Sequence, residues 1–104
     1  MLSRIAESLF WIGRYVERAD HTARMVQTQL RVIAEDTSRH EAESCRSLLA
    51  LMSVGISPDQ PEPTVAELLR RLCWDAREPT SIFHSWAAAR DNARRARGGI
   101  PLGG

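Results

Sequence analysis

The sequence predicts an all-α protein, an antiparallel helical bundle built on one long N-terminal helix. The first observation is a line of apolar residues over the first third of the chain. Its steps alternate strictly between four and three residues: Ile5, Leu9, Ile12, Val16, Ala19, Ala23, Val26, Leu30 and Ile33. Such steps form the seam of a helix that packs nearly parallel or antiparallel to another helix. The second observation is that no stretch alternates apolar and polar residues as a strand does.

The long helix is predicted from about Ser3 to about Ala34. Ser3 can serve as its N-cap, and Gly13 is tolerated inside it at a cost of about 1 kcal/mol relative to alanine. A helix of roughly thirty residues is about 45 Å long, at a rise of about 1.5 Å per residue. Since the helices predicted after it are too short to cover this length, we expect partner subunits or further sequence to complete the core.

Two shorter helices are predicted in the middle of the chain. The first covers residues 39–54, with Gly55 as its C-terminal stop. The proline-rich loop ISPDQPEP follows it. Thr64 and Glu67 then have the spacing of a capping box, which predicts a short helix over residues 65–74.

The segment DAREP breaks the third helix, because Pro79 disfavours helical geometry at Glu78, the residue before it. A fourth helix is predicted after Pro79. It begins at Thr80 or Ser81 and ends near Arg97, before two glycines. The remaining sequence, GGIPLGG, has no periodicity. We therefore predict a helical domain over residues 1–97 and a flexible tail over residues 98–104.

The composition argues against several classes of function. The chain of 104 residues has 14 basic and 13 acidic residues and a net charge of +1, so it has no global field that attracts nucleic acid or an anionic membrane. Arg4 and Glu7 interrupt the apolar N-terminus, which therefore resembles neither a signal peptide nor a membrane span. Cys45 and Cys73 are far apart and form no disulfide framework or CxxC motif. We expect a cytoplasmic protein with free thiols, and neither a nucleic acid nor a membrane as its partner.

The main polar stretch is GRYVERADHTAR on the long helix. It contains three arginines, two acids and a histidine: Arg14, Glu17, Arg18, Asp20, His21 and Arg24. Ion pairs at spacings of three and four residues account for it as a solvated face. However, Phe10 and Trp11 project toward the same side, and we expect another helix to cover them. The charges then form a buried structural network, and a ligand-binding or catalytic site is the third alternative.

The fourth helix carries a possible counterpart in AAARDNARRAR. Its polar residues are Arg90, Asp91, Asn92 and Arg94. A bundle can bring Arg90 and Arg94 against Glu17, either as a charge lattice between helices or as a cradle for an anionic or zwitterionic ligand. Spacing alone does not separate these two alternatives.

Enzyme templates match the sequence poorly. His21, His40 and His84 are too scattered for a metal-binding pair, and neither cysteine has an identifiable histidine partner. The chain has no GxSxG motif and no glycine-rich phosphate loop after a strand. The sequence therefore favours a protein without metal or cofactor that is not an enzyme, although catalysis is left open.

Two blocks of the sequence resemble one known family. MLSRIAESLFWIGRYVERADHTARM, with Glu17-Arg18 inside it, is similar to the opening of the alpha-E domain family, a bacterial all-helical domain named for its Glu-Arg motif. REPTSIFHSWAAARDNARRAR looks like the family's NPSSI helix start and the ARENAR helix after it, with Asp91 in place of the usual glutamate. The two blocks bracket most of the chain in the expected order.

The resemblance carries further expectations. The matching positions form a polar motif that is structural or ligand-binding: Arg14, Glu17, Arg18, Arg24, Arg90, Asp91, Asn92 and Arg94. The family domain is longer and continues beyond the ARENAR helix, which implies an incomplete or truncated member. Alpha-E domains resemble accessory components of systems with a circularly permuted ATP-grasp protein and a transglutaminase-like cysteine peptidase. These systems are linked to forming or cleaving peptide amide bonds.

Three functional hypotheses follow. In the first, the chain is a helical accessory or interaction component with these two proteins as partners. In the second, it is a ligand-binding or catalytic subunit that uses the Arg/Glu polar cluster, in which Arg14, Arg18, Arg90 and Arg94 grip carboxylates or phosphates. In the third, it is a nonfunctional truncated fragment. Self-association is compatible with each hypothesis.

Overall fold

The elements of secondary structure that the structure describes are all helical, as the sequence predicts. The structure, a computed structural model, describes residues 2–35, 41–55 and 62–98, and no strand occurs within these ranges. Four helices follow one another within these ranges: α1 (Leu2–Glu35), α2 (Glu41–Leu51), α3 (Val65–Leu69), which continues as a π-helical turn (Arg70–Trp74), and α4 (Ile82–Gly98). The all-α prediction and its long N-terminal helix are confirmed. The predicted start of the second helix at residue 39 and the tail beyond Gly98 lie outside the described residues.

The two longest helices, α1 and α4, form an antiparallel pair. The Thr22 hydroxyl, in the second half of α1, donates a 2.9 Å hydrogen bond to the carbonyl of Thr80, just before α4 begins. From this point α4 runs back along α1 toward its N-terminus, where Ser8 is buried. The molecule is accordingly elongated, with extents of 62 × 29 × 20 Å.

Small side chains form the contact between α1 and α4. The buried residues are Ser8, Ala19 and Thr22 on α1, and Ser85, Ala89, Asn92 and Ala96 on α4. Short side chains allow two helix axes to approach closely, as long ones do not. The predicted seam is therefore corrected in its N-terminal part. The apolar residues of that part lie beside the contact with α4 and not within it. Leu9 and Val16 remain 58% and 37% exposed.

The hydrophobic core lies around the C-terminal half of α1. There α1 meets α2, α3 and the π-helical turn. The buried members are Val26, Cys45, Leu48, Leu49, Met52, Val54, Leu68 and Leu72, with Met25, Leu30 and Ile33 packed against them. The N-terminal half of α1 contributes no residue to this cluster.

The second helix ends earlier than predicted. Helix α2 stops at Leu51, and Ser53 takes a left-handed conformation with φ of 61°. The Val54 N–H donates to the Leu49 carbonyl at 2.9 Å, which is the bond of a helix that ends in a left-handed residue. The prediction that Gly55 is the stop was wrong. Val54 is buried in the hydrophobic core, with 4% of its surface exposed. The helix therefore ends before Val54, and the chain turns at Ser53.

Side-chain caps begin the last two helices. The Thr64 hydroxyl accepts the Glu67 N–H at 3.2 Å, which confirms half of the predicted capping box. The Glu67 carboxylate turns instead to Arg70, at 2.7 Å, and this hydrogen bond holds the pKa of Glu67 below its ordinary value. At α4, the Ser81 hydroxyl accepts the His84 N–H at 3.0 Å. Ser81 is therefore the N-cap of α4, which agrees with the second of the two predicted starts, Thr80 or Ser81.

Candidate functional site on the first helix

One face of α1 forms a shallow groove of about 600 Å³. We call it the aromatic–arginine groove. Its lining residues all come from α1: Phe10, Trp11, Arg14, Tyr15, Glu17, Arg18 and His21. The groove therefore contains five of the twelve residues of the GRYVERADHTAR stretch together with the aromatic residues before it.

The aromatic rings of the groove follow one another along α1, and Phe10 and Trp11 are open to solvent. Phe10 and Trp11 meet edge to face, with ring centroids 5.4 Å apart, and Trp11 lies 6.0 Å from Tyr15. The Arg18 guanidinium lies 5.7 Å from the centre of the Tyr15 ring, within cation–π distance. Phe10 and Trp11 are 59% and 41% exposed, so the expectation that α4 covers them was wrong. Helix α4 packs on the small residues of α1 instead.

The charges of the motif form local pairs along α1. Arg14 lies 3.6 Å from Glu17, and Arg24 lies 3.0 Å from Asp20. The Glu17 side chain is 73% exposed. Exposed pairs at these spacings stabilise a helix by a few tenths of a kcal/mol, about 0.3–0.5. The structure thus places the Glu17-Arg18 dipeptide on the surface.

The polar residues of α4 divide between its two sides. Asn92 is buried against α1 and donates a 3.0 Å hydrogen bond from Nδ2 to the Ala88 carbonyl. Arg90 and Asp91 are exposed and lie 4.0 Å apart. Arg94 is also exposed. Within residues 2–35 and 82–98, no ion pair joins this set to the motif of α1.

A second cavity connects the two sequence blocks. It has a volume of about 290 Å³, and we call it the motif cleft. It lies between α1, the end of α2 and the segment before α4, and its lining residues are Arg18, His21, Thr22, Leu51, Met52, Ser53, Pro79 and Thr80. Arg18 and His21 line both cavities, so the groove and the cleft are continuous at these two side chains.

Sequence reasoning missed Thr22 and Thr80, which hold the two sides of the cleft together. Thr22 is fully buried, and its hydroxyl binds the Thr80 carbonyl. The Thr80 hydroxyl in turn lies 3.5 Å from the Met52 carbonyl. Thr22 lies within the charged stretch, where its short polar side chain gave no sign of burial. Its position three residues from Ala19, on the same side of α1, was the signal that could have revealed it.

The remaining reactive groups do not form a site in the part of the chain described here. Cys45 and Cys73 are free, as predicted. Burial raises the pKa of both thiols, and Glu41 raises that of Cys45 further, so both are protonated at neutral pH. A protonated thiol is a poor nucleophile. Among the described residues, no group of three His, Cys, Asp or Glu side chains could hold a metal ion. Likewise, none of these helices combines the length and apolar character that crossing a membrane requires.

Fold and surface together define a class of protein, an all-helical domain with a Glu-Arg pair exposed on its long first helix. Glu17-Arg18 is the one Glu-Arg dipeptide in the sequence. Residues 1–102 match the model of the Alpha-E family, described as a predicted alpha-helical domain with a conserved ER motif. The chain belongs to the Alpha-E family. Comparisons with curated proteins and with solved structures gave no significant match.

Proposed function

We propose that this Alpha-E chain is a helical accessory component that binds a protein partner through the aromatic–arginine groove. The observation that carries this proposal is the exposure of Phe10 and Trp11 beside two arginines on one rigid helix. Tryptophan, tyrosine and arginine are the residue types that most often dominate binding energy at protein interfaces. An exposed apolar patch with a polar rim is typical of an interaction site.

The partners we propose are a circularly permuted ATP-grasp protein and a transglutaminase-like cysteine peptidase, in the bacterial cytoplasm. The similarity of both sequence blocks to alpha-E domains supports this choice. In such a system the chain assists the formation or cleavage of peptide amide bonds and needs no catalytic group of its own. Arg14 and Arg18 suit a partner surface that presents carboxylates beside apolar side chains.

A binding measurement with matched tryptophan variants tests this proposal. Trp11 lies in the groove, whereas Trp74, which is 71% exposed, lies on the π-helical turn outside it. We expect Trp11→Ala to weaken binding to the ATP-grasp protein or the peptidase about 30-fold, the equivalent of a hot spot of about 2 kcal/mol. Trp74→Ala should bind as the wild type does.

Two results would overturn the proposal. One is that neither candidate partner binds the wild-type chain in biolayer interferometry. The other is that both tryptophan variants bind with unchanged affinity. Circular dichroism of each variant ensures that a loss of binding is not a loss of folding.

The motif cleft supports a second candidate function, a ligand-binding or catalytic subunit. Arg18 and His21 enter this cleft beside Thr80, so residues of both motif blocks surround the same volume of about 290 Å³. A cavity of this volume with an arginine in its wall can hold one carboxylate or phosphate group. Thermal-shift measurements with acidic peptides, phosphate and ATP test it. A ligand at 100 times its Kd stabilises the fold by about 2.7 kcal/mol. Arg18→Gln should abolish that shift, and the absence of any shift in the wild type would remove support for this candidate.

A further inference from the structure

A second exposed surface lies on the other side of α1. Leu2, Ile5, Leu9, Ile12 and Val16 follow one another in steps of three and four residues, and we call them the aliphatic stripe. Leu2 is 83% and Leu9 58% exposed. At 100° per residue, Leu9 and Trp11 point about 160° apart, so the stripe and the aromatic–arginine groove are separate surfaces. Steps of three and four residues are the pattern that packs against another helix.

Helix α4 extends the stripe sideways. Because α4 runs antiparallel to α1 and contacts it through Ser85 and Ala89, Trp86 and Ala93 point to the same side of the pair as Val16. Trp86 is 55% exposed. The helix pair therefore presents one face, two helices wide, whose α1 half is apolar and whose α4 half combines Trp86 and Ala93 with the exposed Arg90 and Arg97. This face has the form of one layer of a four-helix bundle.

The charge distribution favours a second copy of this chain as the occupant of the stripe. A two-fold axis brings the same patch of both subunits together, so any charge on the patch lies near its own copy. The five residues of the stripe include no titratable side chain. In contrast, the groove carries Arg14, Glu17 and Arg18, so a two-fold axis through it would bring charged side chains of both copies together.

The area of the apolar face also fits a dimer. A buried aromatic side chain contributes about 150–250 Å². At the exposures above, the stripe and Trp86 present on the order of 500 Å² of apolar surface per chain. A standard interface buries about 800 Å² per partner, of which about 60% is apolar. The exposed face therefore provides the apolar area that a stable dimer needs.

We propose that the aliphatic stripe is a homodimer interface, in which two copies pack their α1–α4 pairs face to face around a two-fold axis. This proposal is independent of the partner binding assigned to the groove, because the two surfaces share no residue.

Analytical ultracentrifugation of the whole chain over a range of concentrations tests the proposal, with two glutamate variants. Leu9→Glu places a charge in the stripe. Phe10→Glu is the matched control, because Phe10 is the next residue on the same helix and is 59% exposed against 58% for Leu9. We expect a wild-type dimer, a dissociation constant at least tenfold higher for Leu9→Glu, and an unchanged dimer for Phe10→Glu. Circular dichroism should show the same helical content for all three proteins.

Several outcomes would overturn the dimer. A wild-type chain that remains monomeric at hundreds of micromolar would exclude the dimer and leave a helix of a longer chain or of a different protein as the alternative occupant of the stripe. Equal weakening by both glutamate variants would place the contact elsewhere on α1. A dimer that persists in Leu9→Glu would also place the contact outside the aliphatic stripe. If the folding of Leu9→Glu is impaired, Val16→Ser makes the same test without a buried charge.

Discussion

Replacing Glu17 by glutamine separates a structural role of the Glu-Arg motif from an interaction role. If Glu17 belonged to a buried network between helices, its loss would lower the melting temperature by several degrees. In the structure Glu17 is 73% exposed and pairs with Arg14 at 3.6 Å. Such a pair contributes about 0.3–0.5 kcal/mol. In a domain of this size 1 kcal/mol corresponds to about 4–8 °C, so Glu17→Gln should lower the melting temperature by less than about 4 °C.

The measurement is thermal and urea unfolding followed by circular dichroism, with Asp20→Asn as the matched control. Asp20 forms the equivalent exposed pair with Arg24, at 3.0 Å, one turn further along α1. We expect the two variants to have similar and small effects on stability. This reasoning would be refuted if Glu17→Gln lowered the free energy of unfolding by more than about 1.5 kcal/mol while Asp20→Asn left it unchanged. Such a result would mean that Glu17 is buried in the folded protein and that another helix covers the groove.

Four further predictions concern stability and are measured by urea unfolding. Thr22→Val removes a buried hydroxyl at nearly constant volume and should cost about 1–2 kcal/mol, whereas Thr28→Val, at an exposed position of the same helix, should cost less than about 0.5. Ser53→Gly relieves a left-handed conformation and should stabilise by about 0.5–1 kcal/mol; a loss would mean that the serine side chain is needed in the cleft. Gly13→Ala should stabilise α1 by about 0.5–1 kcal/mol, because an added Cβ meets no atom within 4 Å, and a destabilised protein would reveal a neighbour at this point. Burial raises the pKa of Cys45 above its ordinary value of 9.0, so its contribution to stability is present below pH 9 and is lost as the pH rises toward the folded-state pKa. Cys45→Ala should therefore show a smaller fall in stability above pH 9, and an equal fall would rule out this thiol as a cause.

The helices could be predicted because their signals are local. Apolar steps of three and four residues, the Thr64 cap and the glycines after Arg97 each act within one or two turns of the chain. The exact face of α1 that α4 contacts could not be predicted in the same way. Periodicity gives weight to large apolar residues, whereas this contact uses Ser8, Ala19 and Thr22. Two of these three carry a hydroxyl group, and their small size matters more than their polarity.

The position of the charged stretch on the long helix follows from the sequence, but its surroundings could not be predicted. The charged stretch does line a groove together with Phe10 and Trp11. The presence of these rings led to the expectation that α4 covers them, since exposed aromatic residues are uncommon on a simple helix face. The role of Thr80 in the motif cleft could not be predicted for a different reason. Its role depends on the fold, which brings the segment before α4 against Thr22, 58 residues earlier in the chain.

The two exposed sides of α1 have different chemistry, and α4 packs between them. One side combines arginines with aromatic rings and suits a different protein, while the other is uncharged and aliphatic and suits a second copy of this chain. Because neither contact uses the residues of the other, the two associations do not compete. A dimer built on the stripe would present two grooves, so a partner that is itself dimeric could bind both at once. Leu9→Glu should then weaken the binding of a dimeric partner through lost avidity and leave the binding of a monomeric partner unchanged. Surface plasmon resonance with a monomeric and with a dimeric partner distinguishes these effects. If Leu9→Glu lost binding to the monomeric partner, the stripe would contact the partner directly.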